Sequence, residues 1–192
     1  MRTNMKKLTS TAAVMLLAVV AGAGCSSELA DNAAPVELIA TTTQNLNTIE
    51  ITGNDPNCAQ PIATVQLQAI AKNPNAVGPF VDVRVTRYRV SYQRTDGGTQ
   101  VPAPFVRSLD TLLTVGGGTT GLSGFLAFEN GVFTQAPFAA LYPNNGGRDP
   151  QTGRPIIRME IILEVFGQTL AGDNVYDVTR VPLDICFDCG CS

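Results

Sequence analysis

The sequence predicts an all-β domain, a two-sheet antiparallel β-sandwich carried behind a cleaved export leader. Three observations predict it. About eight strand-like runs follow one another beyond residue 35. Gly, Pro, Asn and Asp clusters separate them every 8–15 residues. Few stretches of helical length carry an apolar period of 3.6 residues. Short strands at regular spacing with frequent turn chemistry are the mark of a sandwich.

The elements follow in order. Residues 1–7 carry Arg2, Lys6 and Lys7 and no acid, and residues 8–23 are uncharged around an apolar centre at 12–20. A basic head before a short apolar run is an export leader. The run is shorter than the ~20 apolar residues of a permanent span. Residues 26–34 are small, polar and without period, which predicts a tether.

Runs at 36–42 and 46–52 begin the domain, and Asn54-Asp55-Pro56-Asn57 is a turn. In 62–71 the odd positions Ala63, Val65, Leu67, Ala69 and Ala71 are all apolar and face the core. In 81–93 the apolar parity shifts from Val81, Val83 and Val85 to Tyr88, Val90 and Tyr92, which predicts a bulge near Thr86-Arg87.

Thr95-Asp96-Gly97-Gly98-Thr99 is a strong turn, and Pro102 and Pro104 mark an edge or a crossing. Further runs are expected at 105–115, 122–128 and 156–166, the last with an apolar face of Ile157, Met159, Ile161, Leu163 and Val165. Gly172-Asp173-Asn174 turns the chain into a run at 175–185, where Pro182 implies an edge or a break.

Composition excludes whole classes of function. Of 192 residues, 44% are hydrophobic and 15% charged, below the ~25% charge of ordinary soluble domains. There is no His, so His-based triads, His metal ligands and His pH switches are excluded. The formal net charge of −3 argues against a nucleic-acid partner. Without residues 1–24 the ten remaining bases face sixteen acids, and a single lysine, Lys72, is left among the bases.

Two resemblances extend this reading. Ala21-Gly22-Ala23-Gly24-Cys25 resembles the lipobox of bacterial lipoproteins, with Gly22 standing where an aliphatic residue is usual. The resemblance implies a signal peptide at 1–24, lipidation of Cys25, a tether at 25–34 and a membrane held through acyl chains such as palmitate. Ser26 in place of Asp implies sorting to the outer membrane, facing the periplasm or the cell surface. Second, the Val81-x-Val83-x-Val85 strand and the hairpin around Phe166-Gly167-Gln168-Thr169-Leu170-Ala171-Gly172-Asp173 resemble an immunoglobulin-like sandwich over roughly residues 35–187. The core Trp of antibody domains is absent, and Cys58 and Cys186 do not form the usual intersheet pair. The domain proper is taken as 35–192, ending in a Cys-rich tail.

Five cysteines are present: Cys25, Cys58, Cys186, Cys189 and Cys191. Lipidation of Cys25 leaves four, an even set expected to form two disulfides after export. Three pairings exist, and spacing does not choose among them. A Cys58–Cys186 bridge would close a loop of order 130 residues, worth up to about 4–5 kcal/mol in the chain-entropy model. A four-thiolate zinc site and a redox-active pair are the other readings of the tail, but no metal and no cofactor are expected.

Three more features carry chemistry. The longest loop, residues 141–153, offers oxygen and cationic groups in Asn144, Asn145, Arg148 and Asp149 and is the candidate binding loop, although one carboxylate is little for Ca²⁺. The glycine-rich segment 116–124 lacks the Lys of a phosphate loop and reads as a turn. Arg84, Arg87, Arg89 and Arg94 are expected to form a solvated strand face paired to acids such as Glu160 and Glu164. No catalytic residue is singled out. The expectation is a membrane-anchored, non-enzymatic envelope protein with a structural or interaction role and a protein partner in the envelope. An alternative is an extracytoplasmic module for a small ligand or glycan; a more remote one is an enzyme using paired carboxylates.

Overall fold

The computed structural model describes residues 34–52, 63–75, 78–122 and 125–190. Eight strands form two sheets: β1 (Val36–Gln44), β2 (Thr48–Glu50), β3 (Ala63–Ala71), β4 (Val83–Arg94), β5 (Phe105–Leu113), β6 (Thr120–Gly121), β7 (Ile156–Thr169) and β8 (Asn174–Cys186). One sheet has the order β1-β3-β6 and the other β2-β8-β7-β4-β5. All pairings are antiparallel except β2 with β8, which is parallel. The expected all-antiparallel arrangement is corrected on that point.

The parallel pair arises because the chain changes sheets between β1 and β2. Leu46 is buried at the crossing. The Gln44 side chain donates through Nε2 to the carbonyls of Leu46 and Pro182, and the Asp184 backbone amide donates to Asn47 O at 2.9 Å. Farther back along β1, side chains of β8 serve its open edge. Asp177 Oδ2 accepts from the Ala40 amide at 2.6 Å, and the Thr42 and Thr179 hydroxyls lie 3.2 Å apart. These contacts hold β1 against β8 at that edge.

Both sheets contribute to one apolar core. Ala63, Val65, Leu67 and Ala69 of β3 are buried, as are Ile157, Met159, Ile161, Leu163 and Val165 of β7. These are the residues expected from alternation, except that Ala71, at the end of β3, is only half-buried. The β4 ladder changes register between Val85 and Arg87, as the parity shift predicts. Beside that bulge, Gly167 has no room for a side chain: a Cβ would lie 2.9 Å from Arg84 O. The hairpin from β7 to β8 turns through Gly172 at φ +101°.

Two expectations are decided here. Of the edge and the break expected at Pro182, the structure has the edge: β8 runs through it unbroken, and β2 pairs only with Asp184–Cys186. Backbone N–H directions alternate along a strand, so the Pro182 nitrogen points the same way as the Asp184 amide. That is away from β7, and a missing N–H there breaks no β7–β8 bond.

Of the run expected at 122–128, the described residues 122 and 125–128 form no strand, and β6 is Thr120–Gly121. The chain continues instead through short 3₁₀ turns at Val132–Thr134, Phe138–Leu141 and Pro143–Asn145. This irregular stretch packs on the inner side of β4. Tyr92 stacks on Phe128 with ring centroids 5.2 Å apart, and Phe128, Phe133 and Phe138 pack together at 5.1–5.9 Å. Phe138 and Leu141 are fully buried. Aromatic burial fills space that a longer β6 would otherwise cover.

Candidate functional site

The end of the sandwich where β4 stops and β7 starts holds the most concentrated polar chemistry in the described structure. Its centre is Arg94, the last residue of β4. After the bulge, Tyr88, Val90 and Tyr92 face inward, and Arg94 continues their parity. An inward guanidinium needs acceptors, because an unpaired buried charge is very costly.

Two carboxylates supply them. Asp96 accepts from Arg94 Nε and Nη2 in a two-pronged pair at 2.8 Å each. Asp149 Oδ2 accepts from Nη2 at 2.7 Å, and Gln100 O accepts from Nη1 at 3.4 Å. The side chains are 1% exposed for Arg94 and 0% for each aspartate. Asp96 also receives the amides of Gly98 and Arg158, and Asp149 receives the amide and hydroxyl of Thr152. Gln151 reaches across to the Thr99 and Gln100 amides at 2.8 and 2.9 Å. The clasp thus fastens the 95–100 turn, the start of β7 and the 149–154 loop to one another.

Gly98 is part of it. A Cβ there would lie 2.5 Å from the Arg94 guanidinium carbon. The ionisation follows the geometry. Burial pushes both carboxyls up, but hydrogen bonds from Arg94 and further donors, with its charge, outweigh burial. Asp96 is held at about 2, and Asp149 is also held below its ordinary value. The same pairing outweighs burial at Arg94 and raises its pKa.

The candidate binding loop is therefore split. Asp149 is turned inward and bound, so it is not presented to a ligand. Asn144, Asn145 and Arg148 are exposed. Asn145 donates to Ala139 O at 2.7 Å and Arg148 to Gly153 O at 3.0 Å, which holds the loop's own shape. Asp96 and Asp149 are paired carboxylates, but they are sealed from substrate. A separate hollow of about 100 Å³ opens beside Tyr92, lined by Pro102, Glu129, Val132 and Gln135 among others. Tyr92 donates to Ala127 O at 2.8 Å. Burial, with Glu129 nearby, raises its phenol above the ordinary range.

The arginine stripe is corrected in two respects: Arg94 is buried, and of the two glutamates expected to pair with the stripe only Glu164 does. Arg84 pairs with Asp110 at 2.8 Å and Arg89 with Glu164, while Arg87 lies over the Phe166 ring at 4.5 Å. Glu160 takes Arg180 instead, at 2.9 Å. Arg94 leaves the solvated face altogether. Its signal was present in the sequence: a parity that leads inward, and an Asp two residues on.

Cys186 and Cys189 form a disulfide across a Cα separation of 6.1 Å. Cys186 is thus bridged locally and does not close the long loop to Cys58. Cys25, Cys58 and Cys191 lie outside the described residues, as do the leader, most of the tether and the 54–57 turn. Among the described residues no three His, Cys, Asp or Glu side chains cluster as a metal site. No helix among them is long and apolar enough to cross a membrane. The chain matches no family model, no curated protein and no solved structure.

Proposed function

We propose that this chain is a lipid-anchored protein of the bacterial cell envelope, without catalytic activity, whose sandwich serves as a structural or interaction module. The observation that carries the reading is the Cys186–Cys189 disulfide in a chain with an export-type leader ending at Cys25. Stable disulfides belong to oxidising compartments. Cys58 and Cys191 then remain as a second pair, and Cys25 is the odd residue that acylation would consume. The membrane is the first partner, reached through the acyl chains, and an envelope protein is the second.

The architecture fits an immunoglobulin-like sandwich. In that fold the first strand is shared between sheets, running antiparallel to the second strand and then parallel to the last. The course of β1 and β2, and the order β8-β7-β4-β5, support this reading. The irregular stretch of 125–155 and the two-residue β6 are its departures.

The test is the mature N-terminus. Mass spectrometry of protein from a lipoprotein-processing bacterium should find acylated Cys25, and Cys25→Ser should leave the membrane fraction. A free N-terminus at Gly24 would overturn the anchor. The hollow beside Tyr92 favours one second reading, a small-ligand module. It predicts a ligand-dependent rise in melting temperature.

A further inference from the structure

The end of the sandwich where β1 begins is built differently from the clasp end. Lys72 donates its amide to Pro35 O at 2.9 Å, so the chain's entry lies against the end of β3. The Ala171 amide donates to Phe80 O at 3.1 Å and the Leu170 amide to Asp82 O at 2.9 Å. The Val115 amide donates to Asp82 Oδ1 at 3.0 Å. With the Gly116 amide donating to Ala69 O and β1 lying along β8 through the Ala40–Asp177 bond, the entry, the end of β3, residues 78–82, the end of β5 and the β7–β8 turn form one tip.

That tip exposes apolar side chains. Phe80 is 71% exposed, Leu112 53% and Leu170 49%. The 3₁₀ turn Pro79–Val81 holds Phe80 on ordered backbone. Three carboxylates of this tip are taken up by the protein's own donors, Asp82 by the Val115 amide, Asp110 by Arg84 and Asp173 by Thr169, while Glu37 at the start of β1 is exposed. The only lysine beyond residue 7, Lys72, sits here and is exposed.

We propose that this tip is a bilayer-contacting surface, with Phe80 and Leu170 entering the lipid and Leu112 at its margin. The inference rests on the Cys25 anchor. Ala34, where the described fold begins, is only nine residues on from Cys25. Nine residues reach at most about 32 Å. The clasp end lies farther off, since the fourteen residues of β7 span about 45 Å. The tether therefore holds the apolar tip next to the membrane at high effective concentration, where two side chains suffice although they could not bind alone.

The test exploits the absence of tryptophan. Full-length lipidated Phe80→Trp, Leu170→Trp and Val106→Trp are each reconstituted into phosphatidylethanolamine/phosphatidylglycerol vesicles containing brominated acyl chains. Val106 is 56% exposed and lies near the opposite end of β5. Emission from the Phe80→Trp and Leu170→Trp proteins should shift to the blue and lose at least half its intensity to bromine, while Val106→Trp stays unquenched. Vesicle-bound protein with no quenching in the Phe80→Trp and Leu170→Trp variants, or equal quenching in all three, overturns the tip and leaves the anchor intact. Protein that floats free of vesicles and carries an unmodified Cys25 overturns the anchor, and the tip with it.

Discussion

At the clasp end, one arginine and two aspartates are removed from water; at the entry end, a phenylalanine and two leucines are left in it. Both arrangements oppose the usual partition of side chains. The first has an internal explanation. A stretch without strand structure, 149–154, must be held against the 95–100 turn, and directional charged hydrogen bonds do this where a ladder cannot. At the entry end the burial lies elsewhere: Val83, Val85 and Leu113 are buried, while Phe80 stays 71% exposed. Charge hidden inside is answered by partners within the fold, and the apolar surface left outside is what the proposed bilayer contact would use.

The comparison breaks most visibly at Arg94. Arg94→Met keeps the side-chain length and removes the charge, leaving two buried carboxylates unpaired. The expected loss is about 3–5 kcal/mol, read from urea denaturation at pH 7. The pH dependence is the sharper readout. In the unaltered protein Asp96 is held at about 2, below its unfolded value near 4. Its contribution is full above about pH 4 and is lost as pH falls toward 2. In Arg94→Met the buried carboxyls favour their neutral form, so the sign reverses and the variant regains stability as pH drops from 7 toward 4. A variant with unchanged stability and pH profile would show that the clasp does not hold the fold.

How much of this was legible follows from the period of each region. β3 and β7 bury every second residue, so their inner faces were readable from apolar alternation, and the β4 bulge from its shift in parity. Phe125, Phe128, Phe133, Phe138 and Leu141 have no common period. They belong to irregular backbone packed through contacts among themselves and with Tyr88 and Tyr92, so the sequence pointed to a strand at 122–128 and a loop beyond it. Asp149 was legible as a polar loop residue but not as an inward one. That depends on Arg94, fifty-five residues earlier. The entry tip was hidden for the same reason: Phe80 and Leu170 become neighbours only when β4 and β7 pair.

Gly98 gives a second, smaller way to sharpen the contrast. In Gly98→Ala the added methyl meets the Arg94 guanidinium. The far end of an arginine normally swings aside, but this one is held by Asp96, Asp149 and Gln100. The expected cost is about 1–3 kcal/mol. If the clasp is the cause, the cost should vanish in the Arg94→Met background, a coupling that a double-mutant cycle measures directly. An equal cost in both backgrounds would assign it to the turn's backbone.

The smallest effect belongs to the entry end. Asp110 also meets an arginine, Arg84, at 2.8 Å, the same distance as Asp96 to Arg94. Distance alone would predict equal worth. Exposure separates them: the Arg84 and Asp110 side chains are 59% and 72% exposed, against 1% and 0% in the clasp. Water and salt screen the outer pair, and two long side chains lose freedom in making it. Asp110→Asn should therefore cost less than about 1 kcal/mol by denaturation, and less still in about 1 M salt. The same measurement on Asp149→Asn should show a loss several times larger that salt barely moves. A salt-insensitive loss at Asp110 comparable to that at Asp149 would mean that the entry end, too, depends on buried charge, and its exposed leucines and phenylalanine would then need a structural explanation.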